Sequence, residues 1–267
     1  MDLAAAALLG VVQGLTEFLP VSSSGHLILA RAFFGWDAGR YGLAFDVALH
    51  VGTFAAVVAY FRRDVQQLIA SSWRAVRFEA GPAERMARLI VIGTVPVVGV
   101  VLLFGDAIES VRDPRVIAVT LAVGGVGLLV ADRYGKQGRS EDSIEYWEAF
   151  AIGCAQAAAL VPGVSRSGAT LTVALLLGLT RTGAGRFVFL MSLPAVFAAA
   201  MKELLDMLEA GATDLPVRLF VVGLVVSGIV GYLTIKYFLR YLASHSLTVF
   251  AVYRFALAAV TVVWLLS

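Results

Sequence analysis

The sequence predicts an all-α polytopic membrane protein, with six transmembrane helices plus two re-entrant helical hairpins in an inverted repeat. Three observations predict it. Apolar residues make up 60% of the chain and charged residues 15%, with a mean hydropathy of +0.86. Soluble domains run at roughly 45–50% apolar and about 25% charged, and one core of this size could not bury so much apolar surface. Second, six stretches are long and apolar enough to cross a bilayer, which takes about 20 helical residues. Third, two further apolar regions are broken by polar motifs that match each other at a fixed offset.

The chain opens on Met1-Asp2-Leu3, acidic rather than basic, and the apolar stretch that follows runs into polar motifs, so it does not read as a cleaved signal peptide. That stretch, Ala4–Gly35, is interrupted by Glu17, Pro20 and the run Ser22-Ser23-Ser24-Gly25-His26. It reads as a short helix, an unwound turn and a second short helix. Irregular backbone at membrane depth is tolerated only where protein or a wet cavity surrounds it, hence a re-entrant hairpin. Spans follow at Leu43–Phe61, Met86–Phe104 and Val116–Val130. Between the first two, the Arg-rich stretch Arg62–Arg88 reads as a short surface helix near anionic lipid heads. Tyr146–Leu179, broken by Pro162-Gly163 and Ser165-Arg166-Ser167-Gly168, is the second hairpin, and spans at Phe187–Met207, Val217–Tyr237 and Leu247–Leu266 complete the chain.

Gln13 and Gln156, Ser22 and Ser165, Ser24 and Ser167, and Gly25 and Gly168 are each 143 positions apart. Phe54-Ala55-Ala56 and Phe197-Ala198-Ala199 keep the same offset, and Pro20 and Pro162 miss it by one. We therefore expect a single integral membrane domain over 1–267, with repeat one at about 1–132 and repeat two at about 145–267. A hairpin plus three spans is an odd count, which inverts the second half relative to the first. Arg62, Arg63, Arg74, Arg77, Arg85, Arg88, Arg133, Lys136, Arg139, Arg181, Arg186, Lys236 and Arg240 then fall on one side, the cytoplasmic one. Asp106, Glu109, Asp113, Glu203, Asp206, Glu209 and Asp214 mark the other. The hairpins enter from opposite faces, and their tips meet inside the bilayer.

Ionisable groups at membrane depth are expensive and face a cavity or a partner. Glu17 and His26 in the first hairpin and Arg166 in the second are such groups. A guanidinium is a planar, permanently charged fork that matches phosphate oxygens. The turn containing Ser165, Ser167 and Gly168 opens a helix and aims backbone N–H groups at an anion, with the Thr170 hydroxyl in its first turn. Ser23 or a neighbour is a candidate nucleophile, with His26 as its base or as proton donor to a leaving group. Gln13 and Glu17, four apart on one helical face, offer oxygens suited to Mg²⁺ or Ca²⁺. Against this, single serines and glycines commonly serve helix packing. Asp46 and His50 either line the cavity or serve a helix end, Arg254 either pairs structurally or lines the site, and Gln156 reads as a helix–helix hydrogen bond. The formal charge of +2 gives no reason to expect nucleic acid, and one cysteine, Cys154, excludes an internal disulfide or a cysteine-based metal cluster.

Gln13-Gly14-Leu15-Thr16-Glu17 with Pro20-Val21-Ser22-Ser23-Ser24-Gly25-His26 resembles the (E/Q)xxxE segment and adjoining Ser/His motif of the undecaprenyl-diphosphate phosphatases of the bacitracin-resistance type. Pro162-Gly163-Val164-Ser165-Arg166-Ser167-Gly168-Ala169-Thr170 is similar to that family's PGxSRSxxT motif, and Tyr253-Arg254-Phe255 extends the likeness to the C-terminal end. The resemblance implies hydrolysis of undecaprenyl diphosphate to undecaprenyl phosphate and phosphate, recycling the carrier for peptidoglycan synthesis and conferring bacitracin resistance. It further implies a divalent cation, Mg²⁺ or Ca²⁺, and a bacterial inner-membrane enzyme with its site accessible from the periplasmic side. Its partners are the polyprenyl diphosphate substrate and membrane lipids, with a homodimer left open. Carried over by position, Glu17, His26, Ser23, Arg166, Ser165 and Thr170 form the functional set, and Gln13 stands where many members have glutamate. A polyprenyl-phosphate transporter or flippase is the alternative that broken inverted repeats suggest.

Overall fold

The computed structural model describes residues 2–36, 42–109, 111, 113–209 and 217–267. Among these residues the secondary structure is helical: α1 Leu3–Thr16, α2 Ser23–Phe34, α3 Gly42–Tyr60, α4 Arg62–Val76, α5 Pro82–Glu109, α6 Pro114–Tyr134, α7 Tyr146–Ala158, α8 Arg166–Leu176, α9 Arg181–Glu209, α10 Val217–Leu242 and α11 Thr248–Leu266. One 3-10 turn, Glu141–Ser143, lies in the loop before α7.

Both interrupted regions form two short helices around a break, as their sequence requires. The 14 residues of α1 extend about 21 Å, short of the roughly 30 Å of a hydrocarbon core. α2, α7 and α8 are shorter still. Five helices are each long and apolar enough to cross a membrane: α6, α10, α11, Pro82–Gly105 of α5 and Arg181–Lys202 of α9. The expected span Leu43–Phe61 coincides with α3, 19 residues long, from which α4 is bent by 86°. The chain is thus a multi-pass membrane protein, with five or six spans among the described residues. Observed helices outrun the expected segments because their polar first and last turns continue the backbone hydrogen bonding beyond the apolar stretch.

Within the expected Arg-rich stretch Arg62–Arg88, α4 turns sharply from α3 but ends at Val76, and residues 82–88 belong to α5 instead. Val65 and Leu68 of α4 pack against the core while Ile69, Trp73 and Val76 are exposed along an adjoining stripe. Its arginines, Arg62, Arg63 and Arg74, are exposed as well.

α1 and α3 both pack along α10, α7 packs along α5, α6 along α11, and α9 touches α3 and α5. Small residues permit the close approaches. Gly10 and Gly153, again 143 positions apart, each face a glycine backbone on the neighbouring helix, Gly223 of α10 and Gly93 of α5. Phe54 and Phe197 face each other across α3 and α9, with ring centroids 5.9 Å apart. Ion pairs gather the basic ends of the helices at one end of the bundle. Arg186 at the start of α9 binds Asp64 of α4 and Glu141, Arg181 binds Asp132 at the end of α6, and Arg85 donates to the carbonyls of Asp142 and Ile144. Of the acidic residues expected at the other end, Asp113 caps α6. The side chains of Asp106, Glu109, Glu203, Asp206, Glu209 and Asp214 lie outside the described residues.

Candidate active site between the two broken hairpins

Each hairpin break is built the same way. Ser22 and Ser165 have φ of 73° and 72°, in the left-handed region that a residue with a Cβ rarely occupies. Each is the N-cap of the next helix, its Oγ accepting from the N–H of Gly25 at 3.3 Å or Gly168 at 3.1 Å. Such backbone strain, about 1–3 kcal/mol per residue, persists where surrounding structure holds it and clusters at functional sites. Here the surrounding structure is Arg254 of α11. Its fully buried guanidinium donates to Pro20 O of the first break, to Gly163 O and Val164 O of the second, and to Thr120 O and Leu121 O of α6. Structural pairing is therefore what Arg254 does, with backbone carbonyls rather than a carboxylate. Gly163 has φ +89°, and a Cβ there would collide with Thr120 Oγ1, which itself donates to Pro162 O at 2.8 Å.

The two breaks thus held together bring four of the expected residues into one cluster. Glu17, at the C-terminal end of α1, is 7% exposed. Its Oε1 accepts from Arg166 Nη2, the first residue of α8. Its Oε2 accepts from Ser23 Oγ at 2.6 Å and from Gln13 Nε2 at 3.0 Å. His50 Nε2 stands 3.6 Å from the same oxygen, while His50 Nδ1 donates to Asp46 O at 2.7 Å. Ser23 and Arg166 occupy equivalent positions at the 143-residue offset and converge on one carboxylate. Asp46 has a different role: it takes a two-pronged ion pair from the buried Arg31, at 2.8 and 2.5 Å.

His26 lies beside this cluster on α2, one turn beyond Ser23 and on the same helical face. Both its ring nitrogens are engaged, Nδ1 with Ser22 O and Nε2 with Tyr253 Oη, each at 2.7 Å. The second hairpin's hydroxyls are turned to the backbone. Ser165 Oγ caps α8, Ser167 Oγ donates to Leu19 O at 2.9 Å, and Thr170 Oγ1 donates to Arg166 O at 2.7 Å. They shape the α8 N-terminus that presents Arg166. Gln156 departs from expectation: both polar atoms of its side chain are buried without a hydrogen-bond partner, so it makes no helix–helix hydrogen bond.

The donor set bears on a divalent cation. Among the described residues no three His, Cys, Asp or Glu side chains are disposed to hold a metal. Gln13 Oε1, however, is buried with no partner while Gln13 Nε2 binds the Glu17 carboxylate. That orphaned oxygen, the carboxylate and Ser23 Oγ fit a hard cation of the Mg²⁺ kind, which keeps several waters and takes one or two carboxylates plus substrate phosphates.

A carboxylate, a guanidinium and a hydroxyl converge at the two helix breaks with an imidazole beside them, groups whose chemistry suits a phosphate ester. Over residues 6–260 the chain matches the family model described as bacitracin resistance protein BacA. The chain belongs to the BacA family. A Rubrobacter xylanophilus protein named undecaprenyl-diphosphatase is 48% identical over 100% of this chain and 99% of its own length. An undecaprenyl-diphosphatase of Moorella thermoacetica is 42% identical over 99% of both chains, and undecaprenyl-diphosphatase 2 of Stutzerimonas stutzeri is 46% identical over 98% of both. These BacA relatives carry the names of hydrolases, which disfavours the carrier alternative. Sequence reasoning left two residues that touch this cluster out of the expected set: His50 and Tyr253. His50 could be found from its helical register with Asp46. Tyr253 is visible only through the C-terminal likeness of Tyr253-Arg254-Phe255, because its partner His26 comes from a distant segment.

Proposed function

We propose that this chain hydrolyses undecaprenyl diphosphate to undecaprenyl phosphate and inorganic phosphate, recycling the lipid carrier for peptidoglycan synthesis and conferring bacitracin resistance. One observation carries the reading: Glu17, Ser23 and Arg166, from two separate hairpins, form one hydrogen-bonded cluster in an apolar protein. Membership of a family whose relatives are named undecaprenyl-diphosphatases supplies the substrate class.

The chemistry follows from the contacts. Arg166 binds the terminal phosphate oxygens, releasing Glu17 Oε1, and the α8 N-terminus with Ser165, Ser167, Gly168 and Thr170 supports that binding. Ser23 Oγ bonds to the terminal phosphorus while its proton passes to Glu17 Oε2. The bridging P–O bond breaks, its electron pair leaving on undecaprenyl phosphate. Water then attacks the phosphoserine, giving a proton to His26 Nε2, and Ser23 Oγ leaves with the proton held by Glu17. A divalent cation held by Glu17 and Gln13 would supply charge neutralisation at the diphosphate. Arg166 and the helix terminus act where charge accumulates, in surroundings poor in water.

The same reading extends to the membrane. Each hairpin enters the bilayer from one face without crossing it, and three spans follow each, giving two repeats in one domain with the second inverted. The matched serine breaks, the glycine contacts of α1 and α7, and the mutual contact of Phe54 with Phe197 support this, since equivalent residues of two repeats touch at a pseudo-two-fold axis. The arginine-rich end faces the cytoplasm of a bacterial inner membrane, and substrate reaches the site from the periplasmic side. Phosphate release by the purified chain from undecaprenyl diphosphate, with and without chelator, tests the assignment. No release in either condition overturns it.

A further inference from the structure

The C-terminal helix contributes a residue that the reaction as drawn does not use. The Ser22 carbonyl can only accept, so His26 Nδ1 carries the hydrogen of the 2.7 Å bond between them. In the neutral ring Nε2 is then a bare acceptor, and the Tyr253 hydroxyl 2.7 Å away is its donor. The two rings lie nearly parallel, 6° apart, with centroids 5.6 Å apart, so the phenol meets the imidazole edge to edge, close to the plane of the Nε2 lone pair. Its own placement is fixed by its neighbour in sequence. Arg254 ties α11 to both hairpin breaks and to α6 through five carbonyls, so Tyr253 meets α2 at a set height and rotation. Tyr253 is nonetheless 45% exposed, which leaves its hydroxyl able to swing aside when Nε2 takes a proton from water.

We propose that Tyr253 is a positioning residue for His26: by donating to Nε2 it holds, in the tautomer that the Ser22 carbonyl sets, the ring orientation from which Nε2 takes a proton from the attacking water. This rests on the reading in which His26 moves a proton, and it explains why a polar hydroxyl stands on an otherwise apolar face of a terminal helix.

Tyr253→Phe keeps the ring and removes the donor. On the folded fraction from size exclusion in detergent, the variant should lose roughly tenfold in kcat with KM within about twofold, the scale of one neutral hydrogen bond. Nitrogen-15 spectra of histidine-labelled protein, with His26 assigned by its loss in His26→Asn, should show a hydrogen-bonded Nε2 in the parent chain and a downfield-shifted Nε2 in Tyr253→Phe, with Nδ1 protonated in both. A purely structural tyrosine would leave those resonances unmoved. An unchanged kcat, or a lower kcat with unchanged His26 resonances, overturns the proposal. The spectra need no turnover: a parent chain that released no phosphate would refute the proposed activity while the Nε2 resonance still decided the role of Tyr253.

Discussion

The Glu17 carboxylate and the Arg166 guanidinium, 149 positions apart in the chain, form an ion pair that joins the first broken hairpin to the second. If Arg166 exchanges this partner for substrate phosphate, Arg166→Ala should lower phosphate release by about 100- to 1,000-fold, the cost of losing one well-aimed electrostatic donor. Arg166→Lys should recover only part, because a point charge cannot replace a fork. Melting of the variants in detergent should stay close to that of the parent, since Glu17 keeps Ser23 and Gln13 as donors. Near-normal turnover by Arg166→Ala would remove the clamp from the mechanism.

Ser23 donates its hydroxyl to Glu17 at 2.6 Å, the arrangement of a nucleophile beside its base. Ser23→Ala should therefore abolish turnover almost completely, and acid quenching of the parent chain with terminally labelled substrate should trap label on the protein. Residual activity of a tenth or more, with no trapped label, would assign the attack to water directly.

Gln13 presents a buried oxygen without a partner next to that carboxylate. Glu17→Gln should blunt the dependence of activity on Mg²⁺ or Ca²⁺, and Gln13→Glu should move half-saturation to lower cation concentration by adding a charge. Titrations that superimpose on the parent curve in both variants would argue against ligation at this pair.

Arg31 and Asp46 are an ion pair closed off from solvent, each 8% exposed. Removing one partner leaves a buried charge unpaired, which costs roughly 3–5 kcal/mol, whereas replacing both with apolar residues is often neutral. Asp46→Ala should accordingly lower the melting temperature sharply, and Arg31→Leu with Asp46→Leu should restore most of it. A double variant as unstable as the single one would show that the pair contributes more than charge balance.

Much of this was legible in the sequence because it depends on local pattern. Pro20, Pro162 and the two serine-glycine runs interrupt apolar stretches, so the two-helix form of each hairpin was readable from those residues alone. The likeness of the two breaks was readable too from their shared offset, whereas the common left-handed φ at Ser22 and Ser165 came only with the structure. The bend of 86° between α3 and α4 was not readable, since it depends on how the two helices pack against the rest of the bundle. Nor was the role of Thr170: the sequence puts it in the first turn of α8, but the direction of its hydroxyl, back onto Arg166 O, is a matter of rotamer.

By itself the sequence determined the solvent in which this protein folds, the places where its helices must break and the ionisable residues too costly to leave unpartnered. These follow from hydrophobicity, helical period and proline geometry, which act over a few residues. Only the tertiary structure decided which of those residues meet. Tyr253 reaches His26 over 227 positions and Arg254 reaches Pro20 over 234, contacts that exist because α11 returns to the hairpin breaks. A buried charge states that a partner is required; the path of the chain selects which one.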